Sequence, residues 1–185
     1  MALTKTPVCN FGKKAEDFKL KSIENKIISL NDVKGEKATL IMFICNHCPY
    51  VKAIIRDLAK DCNELKKDGI NTVAIMSNDT KNYPEDSFDN MIKFAKTNNF
   101  GEINYLIDET QEIARKYGAV CTPEFFGYNR ELKLQYRGRF RELKDLKPVL
   151  GGDSDLKIAM KIISETQAGP KEQIPSMGCN IKWFN

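Results

Sequence analysis

The stretch that decides the fold of this chain is TLIMFICNHCPYVKAII, residues 39–55. Its first six residues form an unbroken apolar run, as a strand covered on both faces of a parallel sheet requires. From Pro49 onward the apolar positions recur at helical spacing, and Gly69 is a typical residue to end that helix. Cys45 and Cys48 therefore lie three positions apart at a strand-to-helix turn, where two thiols can close a disulfide.

This turn has the features of a redox site. A thiol at a helix start lies at the positive end of the helix dipole, which favours its thiolate. We therefore predict that Cys45 is the nucleophile, with a pKa lowered into the range of about 3.5–7.5 found for reactive cysteines. Cys48, one helical turn further on and more buried, is then the resolving thiol. His47, the only histidine, can add a positive charge that stabilises the thiolate. The alternative interpretation is a pair of unreactive core thiols.

Composition indicates one globular domain over residues 1–185. The chain is 42% hydrophobic and 29% charged, with a net charge of +4 from interleaved signs. We interpret its densest basic segment, residues 136–141, as a solvated strand end with Arg137 and Arg139 in water, and we expect no nucleic-acid partner. No stretch reaches the roughly 18 consecutive apolar residues of a membrane helix, so we expect no membrane association. The amino terminus lacks the apolar core of a secretory signal, which favours a cytoplasmic location.

The remaining cysteines are scattered. Six cysteines in a cytoplasmic chain do not indicate a disulfide framework, and one closely spaced pair stands apart from the other four. Cys62 falls on the apolar stripe of the helix after Cys48 and is predicted to be a core residue. Cys9 lies in the amino-terminal segment with no evident partner.

The order of the predicted elements defines an α/β fold. Two short strands within residues 16–31 form an amino-terminal β-hairpin, and residues 85–87 are predicted to cap a helix. Further strands are predicted at 38–44, 70–76, 103–107, 124–128 and 132–136, with helices after Cys48, after residue 87, and at about 109–117 and 153–164. This order predicts a mixed central β-sheet flanked by helices on both faces. Residues 1–15 form an extended segment, and residues 166–185 form a carboxyl-terminal tail without periodicity.

The thiol motif and a second motif together resemble the thioredoxin-like fold. The second motif is Cys121-Thr122-Pro123, some seventy residues after the pair and just before a predicted strand. The resemblance implies a cis proline that faces the cysteine pair, and a preceding residue whose backbone binds a substrate thiol or peptide. It therefore places Thr122 and Pro123 against Cys45. Cys121 would lie nearby as a third redox thiol, as a ligand or as a residue that fills the pocket.

More narrowly, the chain resembles the peroxiredoxin-like proteins related to alkyl hydroperoxide reductase and thiol-specific antioxidant. The segments that carry this resemblance are CNHCPYVKA (45–53), SND (77–79), YPEDS (83–87), DETQ (108–111) and GCNIKW (178–183). The pattern departs from a typical peroxiredoxin, since Cys45 replaces a threonine and leaves Cys48 at the peroxidatic position. Residues 39–44 also lack the buried acid of a typical thioredoxin. Cys179 is either an additional resolving thiol or part of a tail that covers the sheet.

Three functions are compatible with these residues. The leading hypothesis is a thiol–disulfide oxidoreductase that uses Cys45 and Cys48, with protein or small-molecule thiols and disulfides as partners and a cellular dithiol as reductant. The first alternative is a thiol peroxidase, in which one of the two cysteines is oxidised to a sulfenic acid. The second is a metal-binding protein using Cys45, Cys48 and either His47 or Cys121, although structural zinc usually requires a larger ligand set. We expect no cofactor and no metal.

Overall fold

The computed structural model describes residues 3–184 of the chain. Its helices are α1 (Leu30–Val33), α2 (Pro49–Lys67), α3 (Phe88–Thr97), α4 (Glu112–Tyr117) and α5 (Asp155–Thr166), and one 3₁₀ turn spans Pro84–Asp86. Its strands are β1 (Leu3–Lys5), β2 (Lys19–Ser22), β3 (Ile27–Ser29), β4 (Ala38–Phe43), β5 (Ile70–Met76), β6 (Asn104–Ile107), β7 (Cys121–Thr122), β8 (Glu124–Asn129), β9 (Leu134–Tyr136), β10 (Leu143–Lys144), β11 (Lys147–Pro148) and β12 (Met177–Asn180). No helix in this described part is long and apolar enough to cross a membrane.

A seven-stranded mixed sheet forms the centre of the molecule. Its strand order is β3-β2-β6-β5-β4-β8-β9. β4 pairs in parallel with β5 and antiparallel with β8, so it lies inside the sheet, and all six of its residues are buried. That position explains the unbroken apolar run, because each face of the strand contacts a separate hydrophobic core.

Helices cover the two faces of this sheet unequally. One core packs α2, α3 and α5 against side chains of β4 such as Leu40 and Met42. The other packs α1 and α4 against the alternate residues Ile41 and Phe43. The predicted fold class is therefore confirmed, including the amino-terminal hairpin of β2 and β3.

The two ends of the chain form a second sheet with the segment that precedes the cis proline. Its strand order is β1-β12-β7. The tail without periodicity thus contains a strand, β12, whose residues pair with β7 on one side and with β1 on the other. This small sheet brings a distant part of the chain to the thiol pair.

Candidate active site

The thiol pair lies at the carboxyl end of β4. Cys48 is the N-cap residue of α2, and Pro49 occupies the first helical turn. Proline suits this position because its missing N–H has no intrahelical partner there and its φ angle is already helical. The residues Cys45 and Cys48 are 1% and 0% exposed, so both thiols are buried almost equally.

Thr122 contacts both sulfurs. Its Oγ1 lies 3.3 Å from Cys45 Sγ, and its carbonyl oxygen accepts a hydrogen bond from the Cys48 thiol at 3.1 Å. The Thr122-Pro123 peptide bond is cis. The structure therefore places Thr122 and Pro123 against the pair as expected, and their role in binding a substrate stays a prediction.

A third sulfur completes the group. Cys179 Sγ, from β12, lies 3.1 Å from Cys48 Sγ. The pairing of Cys179 with Thr122 across β12 and β7 explains this contact, because it sets the tail directly beside the residue that touches both thiols of the pair.

Cys48 is the more acidic of the two thiols. Hydrogen bonding with the Cys45 thiol, and to a smaller extent with the Cys179 thiol, lowers the pKa of Cys48 to about 5, although burial favours its protonated form. The hydrogen bond to Cys48, together with burial and the negative charge of Asp86, raises the pKa of Cys45 well above its ordinary value. The prediction that Cys45 has the lowered pKa is therefore wrong, since the interaction between the two thiols favours the thiolate of Cys48 over that of Cys45.

His47 is paired with a buried acid. Its Nδ1 lies 2.7 Å from Oδ2 of Asp86, which is fully buried. The hydrogen bond to Asp86 raises the pKa of His47, so the imidazole gains a proton readily, but its charge is balanced within 3 Å. The expected stabilisation of the Cys45 thiolate by His47 is thus offset, because Asp86 acts on Cys45 with the opposite sign.

Asp86 also holds the turn between the two cysteines. Its Oδ1 accepts hydrogen bonds from the backbone N–H groups of Asn46 (2.7 Å) and His47 (3.3 Å), and its Oδ2 accepts from Asn78 Nδ2 at 2.8 Å. On the other side, the Tyr105 hydroxyl donates to Asn46 Oδ1 at 2.9 Å. These bonds fix the backbone conformation that brings the two thiols together.

The sequence analysis missed Asp86 as a site residue. Residues 85–87 were predicted to cap a helix, and Ser87 is the N-cap of α3, although its side chain makes no cap hydrogen bond. Asp86 instead bonds to His47 in the site. The available signal was the motif Tyr83-Pro84-Glu85-Asp86-Ser87 itself, which carried part of the family resemblance. The buried acid that is missing from residues 39–44 is supplied by this distant loop.

Cys45, His47 and Asp86 are also the residues that could hold a metal ion, because their ligand atoms lie within 4.8 Å of one another. Thiolate, imidazole and carboxylate are all ligands of zinc. However, His47 Nδ1 and both oxygens of Asp86 already take part in hydrogen bonds, and a metal would have to break them. The arrangement therefore favours a hydrogen-bonded charge pair of His47 and Asp86 over a metal site. The possible ligand set also differs from the one considered from the sequence, because it contains Asp86 in place of Cys48 or Cys121.

Cys121 lies beside the pair without joining it. Its thiol donates to the Pro123 carbonyl at 3.8 Å, and burial raises its pKa above the ordinary value. Cys62 is 2% exposed on α2, and burial raises its pKa to about 12, in agreement with a core residue. Cys9 is partly exposed, and burial raises its pKa to about 11.

The interpretation of residues 136–141 as a solvated strand end is wrong for Arg137. This side chain is buried and donates from Nε to Glu124 Oε1 at 2.9 Å, and Glu124 is fully buried. The other oxygen of Glu124 accepts from the backbone N–H groups of Val120 and Cys121. Arg139, three-quarters buried, pairs with Asp155 at 2.6 Å. Both guanidinium groups are therefore engaged by carboxylates.

A groove of about 490 Å³ lies next to the cis proline. Its lining includes Tyr50, Pro123 and Phe125, together with Ser176 and Met177, the first residue of β12. The groove therefore adjoins residues that neighbour the thiols in sequence, although the cysteines themselves do not line it.

The fold and the site define a thioredoxin-like protein with a buried dithiol. Comparison with known proteins specifies the family: the sequence profile of the AhpC/TSA family matches residues 11–140. The chain therefore belongs to the AhpC/TSA family. No match was found among functionally curated proteins.

Similar solved structures agree with this assignment. An uncharacterized conserved protein from Geobacillus kaustophilus is 39% identical, with a TM-score of 0.94, over 100% of this chain and 97% of that one. A hypothetical protein from Sinorhizobium meliloti 1021 is 36% identical, with a TM-score of 0.89, over 98% of each chain. A thiol:disulfide interchange protein of the thioredoxin family from Chlorobium tepidum TLS is 19% identical, with a TM-score of 0.62, over 83% of this chain and 97% of that one. The last similarity shows the fold alone.

Proposed function

We propose that this protein is a thiol–disulfide oxidoreductase in which Cys45 and Cys48 alternate between dithiol and disulfide. The observation that carries this proposal is the contact of both sulfurs with Thr122, beside a cis proline and at the start of α2. A buried dithiol with one acidic thiol is suited to exchange, since the thiolate is the species that attacks a disulfide.

The electrostatics favour Cys48 as the attacking sulfur. Its thiolate attacks one sulfur of a substrate disulfide, forms a mixed disulfide and releases the other substrate sulfur as a thiolate. Cys45 then loses its proton and attacks Cys48 Sγ, which closes the Cys45–Cys48 bond and releases the second substrate thiol. The substrate gains two electrons and the pair loses two, which a cellular dithiol restores. Because both sulfurs are buried, access requires a local opening of the site.

Single-serine variants test both the function and the assignment of roles. With a chromogenic aromatic disulfide, the wild type should release two thiols per chain and end with a Cys45–Cys48 bridge that peptide mass mapping identifies. Cys48→Ser should slow the first release at least about tenfold, whereas Cys45→Ser should keep it, because Cys45 acts in the second step. The opposite pattern would assign the attack to Cys45, as first predicted from the sequence.

Cys62→Ser is the matched control, since Cys62 is equally buried but lies in the core away from the turn. It should leave the rate and the bridge unchanged. If the wild type forms no Cys45–Cys48 bridge, or reacts no faster than a variant without both cysteines, the proposed function is wrong.

Thiol peroxidase activity is the second candidate, and the lowered pKa of Cys48 favours it. In that reaction the Cys48 thiolate attacks a peroxide oxygen, becomes a sulfenic acid and releases water or an alcohol. Cys45 then condenses with the sulfenic acid and releases water. A typical peroxiredoxin has an arginine across the pocket from its peroxidatic cysteine, but Arg137 and Arg139 of this chain are paired with Glu124 and Asp155. Oxidation by hydrogen peroxide orders of magnitude faster than that of a free thiol would select this candidate.

The cytoplasm remains the proposed location. Six cysteines with a single closely spaced pair support a reducing compartment, in which a dithiol can be regenerated. Fractionation of cells that express the chain would test this, and recovery outside the cytoplasm would contradict it.

A further inference from the structure

Cys48 has two sulfur neighbours. One is Cys45, which hydrogen-bonds to it. The other is Cys179, whose Sγ lies at 3.1 Å, so that an approach of about 1 Å would give the S–S bond length of about 2.05 Å. The two neighbours differ in their distance along the chain: Cys45 lies three residues before Cys48, and Cys179 lies 131 residues after it.

The position of Cys179 is fixed by its strand. A Cβ atom added to Gly178 would lie 2.1 Å from the Thr122 carbonyl oxygen, so β12 approaches β7 more closely than a larger residue at position 178 would allow. On either side of this contact, the Ser176 hydroxyl donates to the Pro123 carbonyl at 2.8 Å, and the Lys182 N–H donates to Asn78 Oδ1 at 2.9 Å. A tail that only covered the sheet would not need this close approach at the residue next to Cys179.

We propose that Cys179 is a third redox-active thiol, which exchanges with the Cys45–Cys48 disulfide to form a Cys48–Cys179 disulfide. This inference rests on the proposed function, because that function supplies the first disulfide. The Cys179 thiol loses its proton and attacks Cys48 Sγ. The Cys48–Cys179 bond forms, the Cys45–Cys48 bond breaks, and Cys45 leaves as a thiolate that takes up a proton. No electrons are gained or lost overall, so the step needs no further oxidant.

The pKa of Cys179 is consistent with an attack that follows formation of the first disulfide. Burial and the neighbouring Cys48 thiolate raise the pKa of Cys179 to about 12 in the reduced protein. When Cys48 is held in a disulfide, its negative charge is gone, and Cys179 loses its proton more readily than before. The second bridge also ties β12 covalently to the start of α2 and returns Cys45 to its reduced form.

The decisive variant is Cys45→Ser, which removes the competing partner of Cys48. It retains five of the six cysteines. After oxidation with diamide, a thiol-specific oxidant, a Cys48–Cys179 bridge would leave three free thiols per chain, and non-reducing peptide mapping should identify the linked pair. Five free thiols, or a bridge between other cysteines, would overturn the proposal. Circular dichroism of the variant confirms that it is folded before oxidation.

Two double variants serve as controls. Cys45→Ser/Cys121→Ser should form the same bridge, because Cys121 is as buried as Cys179 but its thiol contacts the Pro123 carbonyl rather than Cys48. Cys45→Ser/Cys179→Ser should form no bridge within the chain. Loss of the bridge in the first double variant, or formation of a Cys48–Cys121 bridge in the second, would assign the role to Cys121 and overturn the proposal for Cys179.

The wild type provides a second measurement that does not depend on a variant. Protein oxidised to the Cys45–Cys48 form is incubated without oxidant and quenched with acid at intervals, and a linked Cys48–Cys179 peptide should appear as the first one declines. If the wild type never forms the Cys45–Cys48 bridge, the proposed function fails. If that bridge forms but neither experiment yields Cys48–Cys179, only this further inference fails.

Discussion

Two buried carboxylates, Asp86 and Glu124, flank the thiol site and differ in what they support. Each is completely buried, and each pairs with a basic side chain that is 12% exposed for His47 and 10% for Arg137. His47 can lose its proton, although Asp86 raises its pKa, whereas an arginine stays charged. At equal burial, the Asp86 pair therefore has a cation that can lose its charge, whereas the Glu124 pair has a cation that keeps it.

The pKa values of the two acids shift in opposite directions. Burial alone would raise the pKa of Asp86, but hydrogen bonds from His47, Asn78 and the backbone reverse this and lower it. Burial raises the pKa of Glu124 despite Arg137 and two backbone N–H donors. The comparison indicates different roles for the two acids. Asp86 influences the thiol site, since its charge raises the pKa of Cys45, whereas Glu124 stabilises the sheet.

The largest expected effect is that of Glu124→Gln. This change leaves the Arg137 guanidinium buried without its counter-charge, and breaking one partner of a buried ion pair typically costs about 3–5 kcal/mol. Urea unfolding should show a loss of this size in the free energy of unfolding. Glu131→Gln, which removes an exposed acid paired with Lys133, should have no measurable effect. A small effect of Glu124→Gln would contradict the structural role of the pair.

Asp86→Asn should cost less, about 1–3 kcal/mol, which is the usual penalty for an impaired buried hydrogen-bond network. The reason is that His47 can shed its proton and leave no unpaired charge, unlike Arg137. The same urea experiment tests this, with the exposed Asp89→Asn as the control. A loss of unfolding free energy equal to that of Glu124→Gln would show that the ability of His47 to lose its proton makes no difference.

The pKa values of the thiols provide a further test of the difference between Asp86 and Glu124. Alkylation of reduced wild-type protein should rise as pH increases through about 5, the pKa of Cys48. Asp86→Asn removes a charge that raises the pKa of Cys45, so thiolate absorbance of this thiol should appear at lower pH. Glu124→Gln should leave that titration unchanged. Equal shifts in both variants would show that Asp86 has no specific influence on the site.

The same pKa predicts how stability depends on pH. The folded pKa of Cys48 is about 5, against an ordinary value of 9.0, so between these values the folded protein binds fewer protons at Cys48 than the unfolded chain. The contribution of this thiol to the free energy of unfolding therefore rises with pH across that window and is lost as pH falls through about 5. Reduced Cys48→Ser should lack this contribution, and an identical pH profile would contradict the assignment.

The smallest expected effect is that of Tyr105→Phe. It removes the hydroxyl that donates to Asn46 Oδ1 but keeps the buried ring, so the cost is about 1 kcal/mol. Thermal or urea unfolding would measure it. A loss larger than that of Asp86→Asn would show that Tyr105, rather than the acid, is the main support of the turn between the cysteines.

Much of the fold could be predicted from local patterns. The apolar run before Cys45 predicted β4, the helical spacing after Cys48 predicted α2, and the structure contains both. These patterns are readable because burial on both faces of a strand, or on one face of a helix, constrains residues that are close in sequence. β12 was missed, because a four-residue strand with one glycine and mixed polarity has no such periodicity, even though it lies in the middle of its small sheet.

The site was predictable only in part. The Cys45–Cys48 spacing and the Cys121-Thr122-Pro123 motif located two of its segments correctly. The reversal of the thiol pKa values was not visible, because it depends on the contact between the two thiols and on Asp86, which lies 40 residues after Asn46. Arg137 was misassigned for the same reason, since its partner Glu124 lies on the neighbouring strand and not beside it in sequence.

The sequence by itself determined that a buried strand delivers two thiols to a helix start, because three-residue spacing and apolar periodicity are local properties of the chain. Only the tertiary structure decided that Asp86 and Cys179 join Thr122 around those thiols. Their positions depend on strand pairing and loop packing between segments 40 to 131 residues apart, and long-range pairing of this kind leaves no periodic trace in the sequence.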